Sequence, residues 1–118
     1  MAGDYSGYLP HINVKDGLAR VINNMPLYMR LLGKFKGREL ANELAVAVRS
    51  GDVEKIVYSA HALKGTCANM GFLEVCRVSG DIEALAKAGQ DANHLLDELF
   101  DVTDMLQSLI EKLKAEGG

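Results

Sequence analysis

The sequence predicts an all-α fold: an antiparallel four-helix bundle preceded by two shorter helices. Three observations carry this expectation. Apolar residues recur at steps of three and four in every long segment, the period of a helix with one buried face. No run shows the β-branched and aromatic alternation of a strand. The main breakers fall at the junctions of the periodic segments: Pro26 early, then Gly37, Gly51, Gly71 and Gly89.

Residues 1–12 have no helical period and read as an irregular lead-in, partly ordered by Tyr5, Tyr8 and Leu9, with His11 incidental. Residues 14–24 read as a short helix, with Asn13 as N-cap and Leu18, Val21 and Ile22 on its apolar side. Pro26 suits the first turn of a second helix. Leu27, Leu31, Leu32 and Phe35 supply its buried side, and Gly37 closes it. Both helices are expected to pack over one end of the bundle.

The bundle is expected over residues 38–115. Its first helix, 38–50, has Leu40, Leu44, Ala47 and Val48 on one face. Gly51 then Asp52 is a stop followed by a new N-cap. The second helix, 53–70, buries Val53, Ile56, Val57, Ala60, Leu63, Cys67 and Met70. The third, 72–88, turns Phe72, Val75, Cys76, Ile82, Leu85 and Ala86 inward, and Gly80 permits a close crossing. Asp91 reads as N-cap of the last helix. There Leu95, Leu99, Val102, Leu106, Leu109 and Leu113 form the stripe, with Leu96, Thr103 and Ile110 alongside. That stripe fits a coiled-coil dimer or a stave of an intramolecular bundle; short connectors favour the stave. Residues 115–118 read as a frayed tail.

A chain of 118 residues fits one domain spanning 1–118 and can bury a real core. The net charge of −3 argues against a nucleic-acid partner. No segment approaches the roughly 18 apolar residues of a membrane span, and no signal peptide is visible, so a cytoplasmic location is expected. Cys67 and Cys76 match no zinc or redox spacing and read as small buried hydrophobes. The start of the chain close to its first helix fits a stand-alone protein or an excised domain.

The chemistry concentrates on the second bundle helix. At about 100° per residue, His61 falls roughly 120° from the centre of the apolar face, so it points to solvent or a partner. Lys64 lies at the stripe's edge, its stem on the core and its ammonium free to reach the His61 side. Gly65 is one turn beyond His61 on the outer face. A mid-helix glycine costs about 0.5–1 kcal/mol relative to alanine. What it gains is clearance beside the imidazole, and the neighbouring Ala62, Ala68 and Asn69 are also small. A nucleophilic nitrogen, an adjacent cation and a cleared approach point to chemistry with an anionic group brought from outside. The docking face should surround His61 with Tyr58, Ala62, Ala68, Asn69 and Gly71.

His61-Ala62-Leu63-Lys64-Gly65, followed by Gly71, closely resembles the H-x-L-K-G-x(5)-G motif of histidine-containing phosphotransfer (HPt) domains of two-component phosphorelays. The segments on both sides resemble the family's helices over most of the chain. Where many members carry serines after the motif glycine, this chain has Thr66-Cys67, which keeps one hydroxyl. Where the residue after the second glycine is often small, this chain has Phe72, expected to close the loop or add an apolar docking contact.

The resemblance implies that His61 is the phosphoacceptor of a phosphorelay intermediate, phosphorylated at Nε2. It takes the group from an aspartyl phosphate and passes it to another receiver aspartate. Lys64 would offset phosphoryl charge. Glu83, in the following helix, matches the place of the residue that orients the histidine; its other reading is a solvated surface acid. The implied partners are response-regulator receiver domains and a hybrid sensor histidine kinase. The chain would bring no cofactor or metal of its own, with Mg²⁺ supplied in the partner receiver site, and a monomer is expected. The rival readings are an HPt-like docking module without phosphotransfer, a metal-binding bundle and a sensor kinase. His11, His61 and His94 are too scattered for the metal reading, and the kinase would need an additional ATP-binding domain. His94 is expected to be a surface residue rather than a second phosphosite.

Overall fold

The computed structural model describes residues 5–117. It contains six α-helices: α1 (Val14–Arg20), α2 (Met25–Lys34), α3 (Gly37–Ser50), α4 (Val53–Met70), α5 (Leu73–Lys87) and α6 (Leu96–Gly117). Helices α3 to α6 form the four-helix bundle, each packed on the next, with α6 returning to α3. Two-residue connectors at 51–52 and 71–72 turn the chain straight back, which makes sequential helices antiparallel. The result is a rod of 48 × 23 × 21 Å, with α1 packed on α4 and α2 on α6.

The bundle interior is the apolar stripe read from the sequence. Leu44, Ala60, Leu63, Cys67, Val78, Ile82, Leu99, Leu106, Ile110 and Leu113 are almost fully buried. Burying each leucine or isoleucine contributes about 1.5–3 kcal/mol, so this seam is the main source of stability. The stripe of α6 is spent inside the molecule, as a stave. Beside Ile22, described below, three residues expected in the core stand outside it. Val53 opens α4 half-exposed, Leu27 and Leu31 are only half-buried, and α2 instead buries Tyr28 and Leu32.

The helix ends follow their caps. Asn13, Asn24 and Asp52 each accept a bond from the backbone N–H three residues on. Gly51 and Gly71 end α3 and α4 in the left-handed region, at φ 74° and 79°. At Gly71 the glycine is also forced by space: a Cβ would fall 2.5 Å from the Asn13 carbonyl oxygen.

Several expectations need correction. The lead-in is not irregular throughout. Ser6–Tyr8 forms a 3-10 turn, Tyr8 and Ile12 are buried, and Ile12 pairs with Phe72 in an isolated β-bridge. The backbone carbonyl of residue 11 accepts from Leu73 N–H at 3.0 Å and satisfies the start of α5, a contact that does not depend on the His11 side chain. Helix α1 stops at Arg20, and Ile22 is 90% exposed in a left-handed turn. Gly37 begins α3 instead of closing α2; a Cβ there would strike Phe35 and Thr103. A Cβ on Gly80 would meet only the Lys64 stem, so no close backbone crossing depends on it. Asp91 caps a 3-10 turn at Asn93–Leu95, accepting from Asn93 N–H, rather than α6 itself. Residues 115–117 continue α6, and the Tyr8 hydroxyl donates to the Glu116 carboxylate; Met1 to Asp4 and Gly118 lie outside the described residues.

The N-terminal helices hold the end of α4. The Tyr28 hydroxyl donates to the Met70 carbonyl at 3.1 Å, capping one of the last carbonyls of α4. Gly17 makes room for that ring: a Cβ there would lie 2.6 Å from Tyr28 and 2.8 Å from the Met70 oxygen. Phe35 packs edge-on against Phe72 at 4.8 Å.

Candidate functional site

His61 lies in the middle of α4, with its side chain 70% exposed. Lys64 is on the next turn and half-buried, its stem against Gly80 of α5. Facing both is Glu83 of α5, whose side chain is only 5% exposed. The structure therefore brings together His61, Lys64 and Glu83, and the solvated-acid reading of Glu83 falls.

The Glu83 carboxylate is divided among three nitrogen groups. Lys64 Nζ lies 2.8 Å from Oε1. On the other oxygen, Oε2, Lys87 Nζ lies at 3.1 Å and His61 Nδ1 at 3.3 Å. A carboxylate this buried is stable only when paired. The hydrogen bond from Lys64, joined by that from Lys87 and working against desolvation, pulls its pKa down from 4.5 to about 2. The same bond raises the pKa of the Lys64 ammonium. Glu83 is thus an anion at any physiological pH, with one oxygen turned to the imidazole.

That placement sorts the two ring nitrogens of His61. Nδ1 is the one beside the carboxylate, and a hydrogen there is favoured by the neighbouring negative charge. In the tautomer with that hydrogen, Nε2 carries the free lone pair.

The surroundings of the ring are open. A Cβ on Gly65 would meet nothing within 4 Å, so the fold itself does not require a glycine there. Tyr58 is 79% exposed, and Ala62, Ala68 and Asn69 are exposed. A shallow hollow of about 510 Å³ between Val53, Glu54, Val57, Tyr58, His61 and Ala62 borders the imidazole. One sequence expectation fails at this face and another is decided. Gly71 is buried, and its carbonyl accepts from Asn13 N–H at 2.7 Å, so its part is structural. Phe72 is fully buried, so of its two expected parts it closes the loop and offers no docking contact. Cys67 is buried and Cys76 half-buried; both are free thiols, and burial raises the pKa of Cys67. Cys76 Sγ lies 3.8 Å from the Lys64 carbonyl oxygen, across the α4–α5 contact.

Lys87 was not among the residues picked from the sequence. Its signal was present: a lysine four residues after a glutamate on one helix is a standard pairing. It carried no weight while Glu83 was free to be a surface acid. His94 is exposed in the 3-10 turn before α6. Among the described residues no group of three or more His, Cys, Asp or Glu is placed to hold a metal, and no helix is long and apolar enough to cross a membrane. Glu83, already shared by two lysines, is a poor ligand for a divalent cation.

A search of curated proteins gives no significant match. Two solved structures share the fold. One is histidine-containing phosphotransfer protein B (HptB) from Pseudomonas aeruginosa PAO1, at TM-score 0.81 and 22% identity, covering 92% of this chain and 97% of that one. The other is the HPT domain of the Hpt sensor hybrid histidine kinase from Shewanella, at TM-score 0.74 and 17% identity, covering 89% and 94%. The Hpt domain family model matches residues 34–116, which span the bundle and the His61–Lys64–Glu83 cluster. That match covers well over half of the sequence, with exposed His61 and its paired carboxylate inside it, and the chain belongs to the Hpt domain family.

Proposed function

We propose that the protein is a phosphorelay intermediate. His61 accepts a phosphoryl group from the aspartyl phosphate of a receiver domain and passes it to another receiver aspartate. The observation that carries the reading is the ring's setting: His61 is exposed, with Nδ1 3.3 Å from a buried carboxylate and open space one turn away at Gly65.

The step follows from that setting. The Nε2 lone pair attacks phosphorus, an N–P bond forms, and the P–O bond to the aspartate breaks. The bonding pair leaves with the receiver carboxylate. The ring keeps its Nδ1 hydrogen and becomes cationic, opposite the Glu83 anion. The transition state is loose, so catalysis is mostly positioning and charge stabilisation. Lys64 is the nearby cation for the phosphoryl oxygens, and Mg²⁺ belongs to the receiver. Onward transfer is the same step in reverse.

The partners of this reading are response-regulator receiver domains and a hybrid sensor histidine kinase, meeting a monomer in the cytoplasm. Tyr58, Ala62, Gly65, Ala68 and Asn69 form the docking face around His61.

Single-turnover transfer from a phosphorylated receiver domain tests the reading, using the natural sequence and His61→Gln. The natural protein is expected to gain acid-labile, base-stable phosphate, and the variant none. Absence of labelling over a broad panel of receivers, with the fold intact, would favour a docking module instead.

A further inference from the structure

Glu83 is held by two lysines, and they are not equivalent. Lys64 takes Oε1 at 2.8 Å, whereas Lys87 takes Oε2 at 3.1 Å, the same oxygen that faces His61 Nδ1. An ordinary Glu–Lys pair one helical turn apart, both groups in water, contributes little. This pair differs because the Glu83 side chain is 5% exposed while the Lys87 side chain is 61% exposed. Lys87 reaches back from solvent to a carboxylate that has left it.

Lys64 Nζ has three N–H donors, and each one turned to a phosphoryl oxygen draws the ammonium away from Glu83. In the resting protein its ammonium is on Glu83, yet phosphotransfer at His61 calls for a cation at the phosphoryl oxygens. Without Lys87, moving Lys64 would leave this buried carboxylate with the His61 ring alone, a poorer pairing than it has at rest. With Lys87 in place, Glu83 stays paired after Lys64 departs, and Oε2 stays beside Nδ1.

We infer that Lys87 is a positioning residue: it holds Glu83 Oε2 against His61 Nδ1 and keeps that carboxylate paired while Lys64 turns to the phosphoryl group. This rests on the proposed role of His61. Lys87 takes no part in bond making. The N–P bond still forms at Nε2, the aspartate still leaves with its electron pair, and the Nδ1 hydrogen stays where it is.

The test compares Lys87→Met, Lys87→Gln and Lys87→Arg with the natural sequence, after thermal melts establish that each variant is folded. Two readouts are taken: single-turnover transfer from a phosphorylated receiver domain, and ¹⁵N NMR of the His61 ring in the unphosphorylated protein. Removing the outer partner of a metal-bound histidine costs about 10–100-fold, and the lower end of that range is expected for a partner that orients Glu83. The Met and Gln variants are therefore expected to transfer about tenfold more slowly and to lose Nδ1–H tautomer at His61, and Arg to restore both. Natural transfer rates with unchanged ring signals in the Met and Gln variants would overturn the inference. So would slow transfer with unchanged ring signals, or with no rescue by Arg, since either marks a structural effect. Failure of the natural sequence itself to accept a phosphoryl group would overturn the reading of His61, and with it this one.

Discussion

At Gly65 the chain leaves a gap that its own fold does not use. A Cβ there has no neighbour within 4 Å, and the site is exposed helix interior. Gly65→Ala should therefore stabilise the protein by about 0.5–1 kcal/mol, read as a higher midpoint in denaturant. Gly65→Leu should also fold, yet slow phosphotransfer by roughly tenfold or more, because the added side chain stands where the receiver must approach. Normal transfer by Gly65→Leu would show that the clearance has no role. Glu83 gives a second prediction at this scale. Its folded pKa of about 2 lies below the ordinary 4.5, so its contribution to stability is present above pH 4.5 and is lost as pH falls toward 2. Glu83→Gln should flatten that part of the stability–pH curve; an unchanged acid limb would mean that the carboxylate is not paired as described. The residue scale also shows what a sequence can and cannot reveal. His61, Lys64 and Gly65 were legible because one helix sets their spacing. Glu83 needed the family resemblance, since its burial depends on how α5 lies against α4. Lys87 became visible only once that burial was known.

The elements succeed or fail on their ends. The interior of α4 was legible from apolar period alone, and Asp52 and Gly71 marked its limits. Helix α1 was overestimated because Val21 and Ile22 continue the apolar pattern, while the backbone leaves the helix at Arg20 and turns left-handed at Ile22 and Asn23. Asn23 tolerates positive φ and marks a stop in the sequence, whereas positive φ at the β-branched Ile22 is a choice of tertiary context that no local pattern announces. Gly71 was assigned to docking for a related reason: its motif position is adjacent to the site, but its contacts run to Asn13, far away in sequence. Gly71→Ala is expected to destabilise the protein by about 1–3 kcal/mol, combining a left-handed backbone with a clash on the Asn13 oxygen. Thermal unfolding measures it, and a loss of under about 0.5 kcal/mol would contradict the packing described for α1 on α4.

As a whole, the molecule is a rod with His61 exposed on its flank. The four-helix core and the order of its staves were legible, because α3 to α6 are long and regular and their connectors short. The joining of the two chain ends was not. Tyr8 and Glu116 meet across the fold, although both lie in stretches with no periodic signal of their own. Burial, then the bond to Glu116, pushes the Tyr8 pKa up to about 12. Its contribution is therefore full below pH 10 and lost as pH rises toward 12. Tyr8→Phe should cost about 0.5–1.5 kcal/mol at neutral pH and soften the alkaline limb of the stability curve. A variant as stable as the natural protein at both pH values would mean that the ends are not tied.

Phosphotransfer as proposed depends on Glu83 reserving Nδ1 of His61 for hydrogen, leaving Nε2 to take phosphate. The most direct measurement is NMR of ¹⁵N-histidine-labelled protein after transfer from a phosphorylated receiver, reading ¹⁵N–³¹P coupling ring by ring. The account predicts coupling at Nε2 of His61 alone, with Nδ1 still carrying its hydrogen. Coupling at Nδ1 of His61, or on His94, would contradict it.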